Sequence, residues 1–223
     1  MTKTMGKIGL RTVAAVLAGR VLPRRLFQRC GPASSRAVAL TFDDGPDPDQ
    51  TPRILDALRD AGVVATFFVV GSKVERHPEV IRRIVEEGHV VGNHSFTHPR
   101  PGAIDAAGLV AEAEKTDDVL AAVVGRRASM FRPPYGGLSF KKLLGLWKVG
   151  RSLVFWNVDP KDFSCLTVDE VRSNLSRRPL RAGDVILMHD TVPFAAALIP
   201  EIAASVRRLG LTFTTPDAWG RHR

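Results

Sequence analysis

The chain has 223 residues, 44% hydrophobic and 25% charged, with no low-complexity run and no internal repeat. That is the profile of one globular domain, and it excludes a disordered or repeat protein. A net charge of +9 with pI near 10.2 favours anionic partners such as a membrane surface, nucleic acid or an acidic glycan.

The charge is uneven. Lys3, Lys7, Arg11, Arg20, Arg24, Arg25, Arg29 and Arg36 lie in the first 36 residues without one acid, so eight of the nine net charges sit there. The uncharged run from Thr12 to Gly19 is bracketed by Arg11 and Arg20 and is followed by no convincing cleavage site. No stretch of ~20 apolar residues exists to span a bilayer. Residues 1–35 are expected to be a basic tail, with 8–28 a basic amphipathic helix able to lie on a membrane. A poor signal peptide, or a helix packed on the domain, are the alternatives. Residues 36–223 are expected to form the domain, as a monomer. The two cysteines, Cys30 and Cys165, form no ligand-spaced pair and suggest no disulfide framework, so the redox compartment stays open. A cytoplasmic or membrane-peripheral location is favoured, with export as the alternative.

In the domain, Val38 to Phe42 reads as a short strand that stops at Asp43-Asp44-Gly45-Pro46. Neighbouring strand residues point to opposite faces, so the two carboxylates need not share a job. A helix follows, started near Pro52, carrying Ile54, Leu55 and Leu58 inward and ended by Gly62. Val63 to Val70 is a continuous apolar run, the pattern of a strand buried on both faces. Glu79 to Glu87 reads as a second helix. Val90 and Val91 begin a strand that runs into Gly92-Asn93-His94-Ser95-Phe96-Thr97-His98.

Residues 105–124 form an alanine-rich helix. Ala128 to Phe131 leads as a strand into Arg132-Pro133-Pro134-Tyr135-Gly136, and Phe140 to Lys148 is helical. Leu153 to Val158 is a strand followed by Asp159-Pro160-Lys161-Asp162-Phe163. Helix Val168 to Leu175, strand Asp184 to Met188, helix Ala195 to Leu209 and strand Leu211 to Thr214 complete the chain. Alternating strands and helices imply a mainly parallel sheet with helices outside. The fold class is therefore α/β, an incomplete parallel (β/α) barrel of about seven strands. Polar residues recur just after the strands, where a parallel barrel places its site.

His94 and His98 are four apart, a spacing that puts both imidazoles on one side of a helical turn. With Asp44 or Asp43 they make a His₂Asp set that leaves a position open for water. Zinc suits such donors best, and cobalt, nickel or manganese also bind them. The spare aspartate is placed to take a proton from water, and His189 to give one to a leaving group. Arg132 would hold the base aspartate charged, and Asp162 would orient His189.

The chain resembles polysaccharide deacetylases of the NodB-homology type, carbohydrate esterase family 4, over roughly residues 36–218 with all five motifs in order. The resemblance implies that Asp43 is the general base and Asp44 a metal ligand beside His94 and His98. It implies an oxyanion donor in the backbone N–H of Tyr135, with Arg132 bracing the base. Leu187 would line an acetyl-methyl pocket, and His189 would be the acid. Pro134, Phe163 and Trp156 join the substrate-binding set. Phe163 stands where the family carries tryptophan, which keeps an apolar face but removes an indole N–H. The expected reaction is metal-dependent hydrolysis of N-acetyl groups on a poly- or oligosaccharide, with release of acetate. Alternatives are a weakly catalytic sugar-binding module of the same fold, or action on O-acetyl esters or a non-sugar amide. The charge alone suggests nucleic acid, but no recognition motif accompanies it.

Overall fold

The computed structural model describes residues 23–221. Its strands are β1 (Phe27–Gln28), β2 (Ala37–Asp43), β3 (Ala65–Val69), β4 (Val90–Asn93), β5 (Met130–Phe131), β6 (Ser152–Val154), β7 (Val185–His189) and β8 (Thr212–Thr214). Its helices are α1 (Gln50–Ala61), α2 (Gly71–Arg76), α3 (Pro78–Glu86), α4 (Ala106–Val124), α5 (Phe140–Lys148), α6 (Val168–Ser176), α7 (Ala195–Arg208) and α8 (Pro216–Arg221).

The strands form one sheet in the order β1-β6-β5-β4-β3-β2-β7, with β8 also pairing with β2. Every pair is parallel. The sheet does not close. One parallel bridge, Val158 to Ile186, brings the segment after β6 against β7. An eighth strand thus joins the seven or so expected, within the same α/β class.

Strand alternation sorts the core into two layers. Val38, Leu40 and Phe42 of β2 join Phe67 and Val69 of β3 and the buried Ile54, Leu55 and Leu58 of α1 in one outer core. The Phe42 and Phe67 rings stack at 5.0 Å. Each such aliphatic side chain, fully buried, contributes about 1.5–3 kcal/mol. The opposite face looks into the barrel. There Phe68, Met130 and Val154 pack together, and Ala39 and Val185 meet Trp219 of α8. Polar residues Thr41, Asp43 and Arg132 share that interior and are all buried.

The boundary expected at residue 35 is corrected. Residues 1–22 lie outside the described residues, while 23–28 form a turn and a strand instead of the end of a helix. Phe27 pairs with Leu153, is buried, and stacks on Phe155 at 5.0 Å. The Leu26 carbonyl accepts from Leu153 N and from the Trp147 indole. An apolar Phe27 among basic neighbours has a sheet edge to cover, and that outweighs the helical pattern. A chain starting at Ser35 is therefore expected to lose stability, because Phe→Ala truncation in a core alone costs about 3–5 kcal/mol. Denaturant unfolding of the shortened and full chains checks this; equal midpoints would place Phe27 outside the cooperative unit.

The expected strand Leu153–Val158 is also shorter, ending at Val154. The carbonyls of Val154 and Phe155 accept from the Arg132 guanidinium, which diverts the chain before it crosses to β7.

Candidate active site

Because all strands are parallel, their C-terminal ends lie at one end of the sheet, and the candidate residues gather there. Asp43 ends β2 and stands in register with His189, which ends β7. Leu187 shares the inward face with His189 and is buried. His94 and His98 follow β4, and Arg132 follows β5.

Arg132 is fully buried. Its Nη1 donates to Asp43 Oδ1 at 2.6 Å and to Thr41 Oγ1 at 2.8 Å. The guanidinium lies 4.1 Å from the centre of the Phe68 ring. Burial pulls its pKa down and the Asp43 charge opposes this. Asp43 is thus held by Oδ1, and its Oδ2 lies 3.7 Å from His94 Nε2.

His94 is buried and its Nδ1 is 2.7 Å from the Arg132 carbonyl. A carbonyl only accepts, so Nδ1 carries the proton and Nε2 presents a lone pair. That Nε2 is 3.4 Å from Asp44 Oδ1, and His98 Nε2 is 3.2 Å from the same oxygen. One donor atom from each of Asp44, His94 and His98 falls within 4.8 Å of the others. Two imidazoles and a carboxylate converging on one point fit a divalent cation. Burial raises the Asp44 carboxyl, but the His94 hydrogen bond and the charges of His94, His98 and His189 hold it well below the usual carboxylate range.

The two histidines do not share a helical turn, as the spacing had suggested. They sit on a loop in which Ser95 and His98 are left-handed, with φ of 66° and 54°. Asp44 (φ 76°) and Tyr135 (φ 57°) are left-handed too. Non-glycine residues rarely adopt this region, and strain of that kind collects at functional sites. Groups that the sequence reading passed over hold the loop in place. Asn93 Oδ1 accepts from Ser95 N, while its Nδ2 donates to Asp117 Oδ1 and to the Ala113 carbonyl. Glu112 accepts from the amides of Phe96 and Thr97. Their only sequence signal was a polar residue at an otherwise apolar strand end and two of the four acids on an alanine-rich helix.

On the other side, His189 Nδ1 is 2.7 Å from Asp162 Oδ1, and the His189 amide donates to Asp162 Oδ2 at 2.7 Å. Burial lowers the imidazolium, but the Asp162 hydrogen bond and charge, with Asp43 and Asp44, outweigh it and bring the pKa up to about 9. Phe163 meets His189 edge-on at 5.2 Å and is largely exposed. The Tyr135 ring is 4.7 Å from that of His98. Trp156 lies 5.5 Å from the Arg132 guanidinium and donates to Asp159 Oδ2. Buried Pro134 opens the short turn that carries Tyr135.

Asp190, also unanticipated, backs the Asp43–Pro46 turn. Its amide donates to the Asp43 carbonyl, and its Oδ2 accepts from Thr51 Oγ1 at 2.7 Å. Burial pushes this carboxyl up to about 7, against the Thr51 hydrogen bond and Lys73 and with Asp44 and Asp43 adding to the rise. A Cβ on Gly45 would lie 1.8 Å from Asp190 Oδ2. Gly45→Ala is expected to destabilise the protein by about 3 kcal/mol or more, since neither partner has room to move. Thermal unfolding reads this, and a melting point within a degree of wild type would show that the turn relaxes freely.

Eight parallel strands with a braced carboxylate, a three-donor set able to hold a metal ion and a braced histidine at their C-terminal ends define a hydrolase-like (β/α) site. The polysaccharide deacetylase family model matches residues 31–152. A peptidoglycan-N-acetylglucosamine deacetylase of Bacillus cereus is 37% identical over 161 residues, 72% of this chain and 58% of that protein. A chitooligosaccharide deacetylase of Bradyrhizobium is 40% identical over 168 residues, 72% of this chain and 74% of that protein. Among solved structures, a peptidoglycan N-acetylglucosamine deacetylase superposes with a TM-score of 0.83 at 31% identity, covering 87% of this chain and 92% of the other. A family 4 carbohydrate esterase from Streptomyces lividans, in complex with acetate, gives 0.75 at 36% identity, covering 81% and 94%. The chain belongs to the polysaccharide deacetylase family.

Proposed function

We propose that the protein hydrolyses N-acetyl groups on the amino sugars of a poly- or oligosaccharide, using one divalent metal ion and releasing acetate and a free amine. The observation that carries this reading is that Asp43 and His189, each braced by a buried partner, flank the Asp44, His94 and His98 donors. Zinc is the ion that the His₂Asp donors suit best, with cobalt, nickel and manganese as workable substitutes. Held by these three residues, it would polarise the amide carbonyl and acidify the attacking water.

The chain's own groups supply the proton transfers. Arg132 ties Oδ1 of Asp43, which leaves Oδ2 turned to the donor cluster and free to accept a proton from water. The Tyr135 amide is assigned to the developing oxyanion. His189, whose Nδ1–H is committed to Asp162, carries its second proton on Nε2 and delivers it to the departing nitrogen. Leu187 and Trp156 offer the apolar wall for the acetyl methyl, and the exposed Phe163 and Tyr135 offer faces for a sugar ring. The names of the relatives support glycans built from N-acetylglucosamine as substrates.

The test is acetate release from chitooligosaccharides, peptidoglycan fragments, lipid-linked amino sugars and O-acetylated xylan. It is run before chelation, after chelation, and after adding back each metal. Release from an N-acetylated glycan, lost on chelation and restored best by zinc, is expected. Release that ignores chelation, or that occurs only from O-acetyl esters, would overturn the reading.

A further inference from the structure

We infer that the end of the barrel opposite the active site is a docking face for an anionic phospholipid bilayer. The parallel strands all begin at this end, so the segments that lead into them share it. Those segments carry Arg36, Arg126, Lys148, Arg177, Arg181 and Arg208, all exposed. None of the six is in an ion pair with a described residue. The segments are neighbours in space: Gly31 N donates to the Gly183 carbonyl, Gly183 N to Ala37, and Arg36 Nη2 to Gly210.

The acids near this end are largely spoken for. Asp60 pairs with Arg59, Asp118 with Arg127 and Asp184 with Arg178, while Glu86 adds one exposed acid. The opposite end carries Asp44, Asp47, Asp49 and Asp105 after the strands beside Lys73 and Arg100, while Asp43 is paired with Arg132 and Asp159 with Lys161. Beyond residue 36 the chain has a net charge of only +1. The six unpaired cations at the strand starts, and not the overall charge, are what would orient the domain on a negative surface. Bound in this way, the active site faces away from the surface.

A groove of about 770 Å³ lies on this side between α6, α7 and the 178–180 segment. Leu175, Leu180, Leu198, Ile202 and Leu209 line it, with Arg172 paired to Glu201, Arg178 paired to Asp184, and Arg208. Leu209 is 47% exposed. A soluble polyanion would use only the arginines. An apolar groove beside cations suits a lipid, which has an anionic head and an acyl chain. A second copy of the same face is disfavoured by like charge. Residues 1–22, with Lys3, Lys7, Arg11 and Arg20, join the domain at this same end through Pro23, ahead of β1.

The test uses the full chain and sedimentation with vesicles of phosphatidylcholine alone or mixed with phosphatidylglycerol. Binding to the mixed vesicles only is expected. A combined Arg177→Ala, Arg181→Ala and Arg208→Ala variant should bind about 100-fold more weakly, at about 1 kcal/mol per cation removed. Leu209→Ser should weaken vesicle binding while leaving heparin binding unchanged. All of these residues are remote from the active site, so acetate release from a soluble glycan should stay at the wild-type rate. Three results would overturn the inference. The triple variant could bind vesicles as wild type does. Binding could vanish with Lys3, Lys7, Arg11 and Arg20 reversed to Glu yet ignore the triple variant. Vesicle binding could ignore Leu209→Ser, marking a polyanion site only.

Discussion

Asp43→Asn is expected to keep the metal and lose about 10²–10⁴-fold in turnover, the usual loss on removing a general base. Asp44→Asn is expected to lose metal affinity first, with activity partly restored by excess metal. The two neighbours differ because of where their side chains lie. Asp43 is buried against Arg132, whereas Asp44 meets His94 and His98 and is partly exposed. The structure adds a second consequence. Neutralising Asp43 strands a fully buried guanidinium, and breaking a buried pair in this way costs about 3–5 kcal/mol. Asp43→Asn should therefore also lower the unfolding midpoint, while Asp44→Asn should leave it near that of the metal-free wild type. Metal content, turnover and denaturation on both variants read the three quantities separately. Metal lost from Asp43→Asn with turnover retained at saturating metal would exchange the two roles.

His189→Ala is expected to slow amide hydrolysis by about 10²–10⁴-fold. An acetate ester with a good leaving group needs less protonation and should lose far less. Asp162→Asn separates positioning from acidity. His189 titrates near 9 because Asp162 outweighs its burial, so it is protonated across neutral pH and loses its proton as pH rises through about 9. The shift from 6.5 to about 9 corresponds to about 3 kcal/mol of preference for the charged form. The matching stability is present in full below pH 6.5 and is lost as pH rises through the folded pKa. Without the carboxylate, burial is opposed far less and the imidazolium pKa falls. The basic limb of the pH–rate profile should then move down by more than one unit in Asp162→Asn, and its rate should recover most at low pH. A metal ion bound at Asp44 offsets part of the field on His189, so the loaded enzyme's basic limb should lie below 9. An unchanged limb in Asp162→Asn would show that another group is the acid.

The sequence by itself determined the strand-helix alternation, because apolar runs such as Val63 to Val70 and 184–188 carry the pattern of strands buried on both faces. It also pointed to Asp43, Asp44, His94, Arg132 and His189, since each closes or closely follows such a run and strand ends converge in a parallel sheet, and to Asp162 in the loop beyond Val158. Helix α5 falls at Phe140–Lys148, the bounds expected for it. What it left undecided needed contacts far apart in the chain. Phe27 became a strand because a sheet edge at Leu153 was there to receive it, 126 positions on. The segment after Val154 left the strand because Arg132 took its carbonyls. The histidine pair came together through left-handed backbone at Ser95 and His98, supported by Asn93 and Glu112, and not through helical periodicity. The division between Asp43 and Asp44 rests on one buried guanidinium reaching across the barrel. Local spacing records which side chains are near in sequence; only the fold decides which distant partner fixes each carboxylate.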